Sequence, residues 1–309
     1  MEGNPFSLKF NFEPGKVHQL QRNIRRIIAP NGSPMTFTGT NTYLVGNQNL
    51  AVIDPGPNIK AHLSSILASV TPNQSITHIL ITHSHIDHSP LAKILQEKTN
   101  APIYAFGDSF SGRSKLMMEL TKKGDLKGGE GLDKNFSPDV YVKDGDQISS
   151  DEWCFDAIWT PGHLGNHLCY GLKKSGVLFS ADHVMGWATS LVSPPDGDLT
   201  QFMDSLQKLL KFDDYNLYYP GHGDKIDNPK EIIHYIIKHR KMREKQILKS
   251  IAEISLNSTQ IAEKIYIDVN KSLIPAAARN VFAHLIDLKQ RQLVTNSHEL
   301  NFETIFSSI

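Results

Sequence analysis

Thr82-His83-Ser84-His85-Ile86-Asp87-His88 is the stretch on which the reading of this chain turns. It follows Ile76-Thr77-His78-Ile79-Leu80-Ile81-Thr82, an Ile-rich run of strand character, and precedes a helical stretch over about Pro90–Lys98. Pro90 falls in the first turn, where its missing N–H costs nothing. Four of the seven residues can bind metal. Side chains two apart on extended backbone share a face, so His83 and His85 aim their imidazoles the same way. Once the chain turns into the helix, Asp87 and His88 reach a second position. Imidazoles mixed with carboxylates suit zinc, iron or manganese. A solvated polar loop is the duller alternative, and so dense a histidine cluster argues against it.

Further along, three apolar runs each end in a metal-capable side chain. Trp153–Trp159 leads into Thr160-Pro161-Gly162-His163, Gly176–Ser180 into Ala181-Asp182-His183, and Asn216–Pro220 into Gly221-His222-Gly223. Strand ends in open α/β layers are rigid, and the loops after them expose functional groups. Each run alone is weak, since a lone histidine after a strand is more often packed or solvated. Together they supply the ligands that a two-metal site still lacks.

The order His-x-His-x-Asp-His, Pro-Gly-His, Asp after a strand, and again Pro-Gly-His resembles the metallo-beta-lactamase fold hydrolases. The resemblance covers about residues 35–225 and implies an αββα sandwich with its site along one edge. It implies one ion on His83, His85 and His163, a second on Asp87, His88 and His222, and Asp182 bridging them. Asp87 also becomes the candidate to orient the attacking water, Asp54 a supporting residue, and His183 either a proton shuttle or merely a packed histidine. The cofactor so implied is a pair of divalent ions, zinc first, with Mn2+ or Fe2+ as other fits. His88 beside an Asp bridge departs from the zinc β-lactamases that use a Cys ligand. His85 replaces the Glu of the flavodiiron branch, which favours hydrolysis.

The other segments set the frame. The 309 residues are 39% hydrophobic and 21% charged, an ordinary globular balance, with 32 basic against 32 acidic residues. Residues 230–309 hold 12 Lys/Arg and 8 Asp/Glu, so the tail is mildly basic and the body mildly acidic. Cys154 and Cys169 lie in apolar strand-like stretches and are expected as buried, reduced thiols. No secretory signal or membrane-length apolar run is visible, so a cytoplasmic location is expected. Residues 41–46 and 50–56 form a hairpin, and residues 107–140, including the run at 124–134, read as a long surface excursion near a site. The layered α/β catalytic domain is expected over 1–228. From Asn228-Pro229 a long helix runs to about Ile254, followed by a helix over Ile261–Ile267 capped by Ser258/Thr259 and a third over Pro275–Gln290. Gln292–Ser297 and Asn301–Phe306 add a β-wing, giving a winged-helix-like domain over 229–309.

This tail resembles the winged-helix extension of the beta-lactamase-like endoribonucleases through His239-Arg240, Arg243-Glu244, Ala276–Asn280 and Ala283-His284-Leu285, with Ser193–Asp198 in the body. Three functions follow. The first is an endoribonuclease on single-stranded RNA, with Lys238, Arg240, Lys241, Arg243 and Lys245 meeting phosphates. The second is a small-molecule ester or thioester hydrolase resembling glyoxalase II, with the tail as a lid. The third, a DNA-binding regulator, suffers from a third helix with few basic residues beyond Arg279 and Lys289.

Overall fold

A computed structural model describes residues 3–123, 126 and 131–309. Its first sheet has seven strands in sequence order: β1 (Val17–Gln21), β2 (Ile24–Ile28), β3 (Asn41–Val45), β4 (Asn49–Ile53), β5 (Ser75–Leu80), β6 (Ile103–Ala105) and β7 (Val140–Tyr141). The first four pair antiparallel, and β4 through β7 pair parallel. The second sheet takes β8 (Gln147–Ser149), β9 (Cys154–Trp159), β10 (Leu168–Leu172), β11 (Val177–Ala181) and β12 (Leu217–Pro220), in the order β12-β11-β10-β9-β8.

Alternation along each strand sorts its side chains between two cores, which is why the strands read as continuous apolar runs. Ala51 and Ile53 of β4 face inward with Phe155, Tyr170 and Phe179 of the other sheet. Leu50 and Val52 face outward, under helices α1 (Lys60–Ala68) and α2 (Leu91–Thr99). On the second sheet Phe179 points in and Leu178 out. Helix α3 (Lys115–Lys123) lies in the excursion before β7, and α4 (Leu199–Leu209) buries Phe202 and Leu206 against the outer face of the second sheet. The result is the four-layer αββα sandwich expected from the sequence.

Helix α5 (Pro229–Ser250) works in two places. Its first half buries Ile232, Ile233 and Ile236 with α4 and the second sheet. Its last turns bury Ile247 with α6 (Ser258–Ile265), α7 (Ile274–Gln290) and the wing strands β13 (Val294–Asn296) and β14 (Phe306–Ser308). Helix α6 starts earlier than its apolar pattern suggested. Asn257, not Ser258 or Thr259, is the cap, and it exchanges hydrogen bonds with Gln260 in a capping box.

Two expectations are corrected. The excursion is not all surface, because α3 buries Met117 and Leu120 in the C-terminal core; positions 124–125 and 127–130 of its glycine-rich run lie outside the described residues. Cys169 is buried, but Cys154 is exposed, since the alternation that sends Phe155 inward turns Cys154 out. No described helix is long and apolar enough to cross a membrane.

Candidate metal centre

All seven expected ligands stand at the C-terminal ends of strands from both sheets. β5 delivers His83–His88, β9 His163, β11 Asp182 and β12 His222. Backbone ties close the two sheets at this edge: Asn41 N–H donates to the Gly221 carbonyl at 2.7 Å, and its side-chain amide donates to the Gly223 carbonyl at 2.9 Å. The Pro-Gly-His pattern has a steric reason at both places. A Cβ on Gly221 would lie 2.2 Å from Asp182 Oδ1. Gly162 sits at φ +133, and a Cβ there would strike the Phe202 backbone at 2.3 Å.

Two clusters result. His83 Nε2 and His163 Nε2 each lie 3.0 Å from His85 Nδ1. Three ring nitrogens cannot all bond through one proton, and tetrahedral ligands around 2.0–2.1 Å metal bonds stand roughly 3.3 Å apart. In the second cluster, Asp87 Oδ2 lies 3.4 Å from His88 Nε2 and 3.2 Å from His222 Nε2. Asp182 stands between them, its Oδ2 3.3 Å from His222 Nε2 and 3.7 Å from His163 Nε2. Its Oδ1 is 3.5 Å from His88 Nε2.

The far side of each ring explains why these nitrogens face inward. Leu191 and Gly39 carbonyls accept from His163 Nδ1 at 2.8 Å and His222 Nδ1 at 3.2 Å. Asp54 Oδ2 takes His88 Nδ1 at 2.9 Å and the Thr82 hydroxyl at 2.6 Å, leaving the Thr82 oxygen to accept from His83 Nδ1 at 3.0 Å. Each of these four rings is therefore held through Nδ1 from outside, which leaves Nε2 turned to the site and able to give its lone pair to an ion. Asp54, His83 and His88 also form a compact group that could hold an ion. Asp54 is committed elsewhere, because its other oxygen accepts Thr82 N–H at 2.8 Å, and it reads as a support.

Electrostatics divide the set along the same line. Burial, reinforced by neighbouring imidazoles, holds His83 well below its ordinary value and lowers His85 to about 3. Burial would lower His88 and His222 too, but the carboxylates outweigh it: Asp87, Asp182 and Asp54 hold His88 well above its ordinary value, and Asp182 and Asp87 bring His222 to about 9. Burial would raise Asp87 and Asp182, yet His88 and His222 hold both well below the usual range. Two buried carboxylates thus attract positive charge to this spot. His88 Nε2 and Asp182 Oδ1 are buried with no hydrogen-bond partner among the described residues, as groups awaiting a cation would be.

His183 is placed away from the cluster, its ring 4.6 Å from that of Phe202 and neither nitrogen partnered among the described residues. Burial lowers it to about 3, as for a packed histidine. The sequence reading missed His167, a buried ring 5.1 Å from His83 that shares a 2.9 Å hydrogen bond with Thr160 Oγ1. It also missed the carbonyls of Gly39 and Leu191, which carry no side-chain signal.

Residues 35–222 match the metallo-beta-lactamase superfamily and residues 258–300 the beta-lactamase-associated winged helix domain. A Beta-lactamase-like protein 2 homolog of Caenorhabditis elegans is 32% identical over 94% of this chain and 92% of its own length. The atrochrysone carboxyl ACP thioesterase of Aspergillus fumigatus is 27% identical over 80% of this chain and 71% of its own. A beta-lactamase domain protein from Burkholderia ambifaria superposes with a TM-score of 0.79 at 18% identity, over 97% of this chain and 96% of that one. The chain belongs to the metallo-beta-lactamase superfamily, whose members are in general hydrolytic metalloenzymes.

Proposed function

We propose that this chain is a dinuclear metallohydrolase that cleaves single-stranded RNA. The observation that carries the two-metal reading is the pair of ligand clusters joined by Asp182. His83, His85 and His163 would hold one ion, Asp87, His88 and His222 the other, and zinc fits this donor set first. Paired ions supply an activated water at neutral pH and draw charge from the scissile group. The chain's own part is to orient. Asp87, one-fifth exposed where Asp182 is nearly covered, is the more open of the two carboxylates and accepts from the Thr40 hydroxyl at 3.4 Å. From there its carboxylate would orient the attacking water while it holds the second ion.

The RNA reading is supported by the whole-chain likeness to a branch that carries this winged helix. Not all the cations of α5 are open to phosphates. Arg240 is 3% exposed, and Arg243 lies over the Tyr266 ring. Lys238, Lys241, Lys245 and Lys249 are exposed instead, and their spacing puts them on one side of α5. That side is turned away from Arg240 and the loop it grips, across a helix width of about 10 Å, so a strand that met both the lysines and the centre would need several nucleotides. Helix α7 is buried on most sides, from Ala277 to Leu288, which leaves it little face to offer a DNA groove.

A thioester substrate is the second reading, favoured by the name of the Aspergillus fumigatus relative. One experiment separates them. The metal-loaded chain should cut a single-stranded oligoribonucleotide and spare its all-deoxy version. Replacing Lys238, Lys241 and Lys245 with Ala should weaken RNA binding and flatten its log–log salt slope by about 2, while short oligonucleotides are unaffected. Hydrolysis of a small acyl thioester with no RNA cleavage would establish the second reading instead.

A further inference from the structure

The loop that follows Asp182 is gripped from its far side by the C-terminal helices. Arg240 of α5 donates to the Ser190 carbonyl and, through Nη1, to Asn280 Oδ1 of α7 at 3.0 Å. The same Asn280 oxygen accepts Val192 N–H at 3.0 Å, and Arg279 Nη1 reaches Ser193 Oγ at 3.2 Å. From its inner side the loop touches the centre twice. Ser190 Oγ donates to the Asp182 carbonyl, and the Leu191 carbonyl accepts from His163 Nδ1 at 2.8 Å. The carbonyl that aims His163 therefore lies between two residues, Ser190 and Val192, that the C-terminal helices hold by their backbones.

We infer that Arg240 and Asn280 are positioning residues for the metal centre, acting through residues 190–192 on His163 and Asp182; this rests on the dinuclear reading above. Mere adhesion between helices accounts poorly for the arrangement. Arg240 is buried against the Phe202 ring at 5.2 Å with no carboxylate partner among the described residues. A buried cation without a counter-charge is costlier than an apolar side chain of similar size. What an apolar side chain cannot do is fix a backbone carbonyl and an amide acceptor together. The winged-helix module thus has a task inside the catalytic site: it sets the aim of one imidazole and one carboxylate. Carbonyl and carboxylate partners of metal-bound histidines typically govern affinity by 10–100-fold.

The test uses the full chain loaded with Co2+, whose visible spectrum reports ligand geometry, with affinity read by chelator competition and stability by thermal melting. Asn280→Leu removes the shared acceptor at similar volume. It should weaken binding about tenfold, the low end of the range for such partners, and shift the Co2+ bands. Asn280→Asp keeps the acceptor oxygen and should return both to near wild type. Arg243→Gln disturbs α5, the helix that carries Arg240, without touching the loop, and should lower the melting temperature alone. A wild-type affinity and spectrum for Asn280→Leu, or metal loss that simply follows stability through Arg243→Gln, overturns the inference while leaving a two-ion wild type intact. A wild-type chain that takes up no Co2+ overturns the metal reading, and the inference with it.

Discussion

Asp182 and Asp54 are both buried carboxylates among histidines, yet the geometry gives them different work. Asp182 reaches His222 and His163 at 3.3 and 3.7 Å, spanning the two clusters, whereas Asp54 fastens Thr82 and His88 from behind. Asp182→Asn should therefore lower metal occupancy and hydrolysis together, by on the order of 100-fold in activity, the upper end of what even outer partners govern. Asp54→Asn should weaken affinity by about 10-fold or more but still reach the full ion count at saturating metal. Titration of both variants, followed by elemental analysis, checks the difference. A full-activity Asp182→Asn removes the bridge, and an Asp54→Asn that stays short of the wild-type count makes Asp54 a ligand. These residues were legible because their side chains do the chemistry and recur after apolar runs. The Leu191 and Gly39 carbonyls were not, because any residue offers one.

At the scale of elements, legibility followed periodicity. β3, β4, β5 and β12 announce themselves as apolar runs with turns after them, and α5 by Ile232, Ile233, Ile236, Ile237 and Ile247 at helical spacing. Helix α3 stayed hidden because only Met117 and Leu120 of its nine residues are buried, and their core is built by residues more than a hundred positions later. β2 was obscured by Arg25-Arg26. Arg26 is buried, its guanidinium 4.7 and 4.5 Å from the Phe10 and Phe12 rings, so an apparent surface pair hides a core position. Helix α1 shows a similar polar residue inside. His62 is buried, shares a 2.8 Å hydrogen bond with Thr42 Oγ1, and is lowered to about 4 by desolvation. Its folded value lies below the unfolded one, so the unfolded chain binds the extra proton as pH falls through about 6.5. The resulting stability is present above that pH and diminishes below it, by about 2 kcal/mol at pH 5. Urea melts of chelator-treated protein at pH 7.5 and 5 should show wild type losing more than His62→Gln. Equal losses would mean that His62 takes up its proton in the fold.

Across the whole molecule, the two sheets, the helices outside them and the C-terminal module converge on one edge. His83 to His88 come from one sheet, His163, Asp182 and His222 from the other, and the loop at 190–192 is held by α5 and α7. Neither sheet alone carries a complete set, so metal binding should fasten the halves of the sandwich together. Ligand binding stabilises the state that binds, by about 2.7 kcal/mol at a hundred times the Kd. Substrate choice is the property least written at this edge, since a pair of ions held there would serve phosphodiesters and thioesters alike. The ions themselves are the claim on which the rest depends. Elemental analysis of the chain purified without chelator, then stripped and reloaded with Zn2+, tests it directly. Close to two ions per chain, with a higher melting temperature on loading, is the expected result. One ion or none after reloading would contradict it.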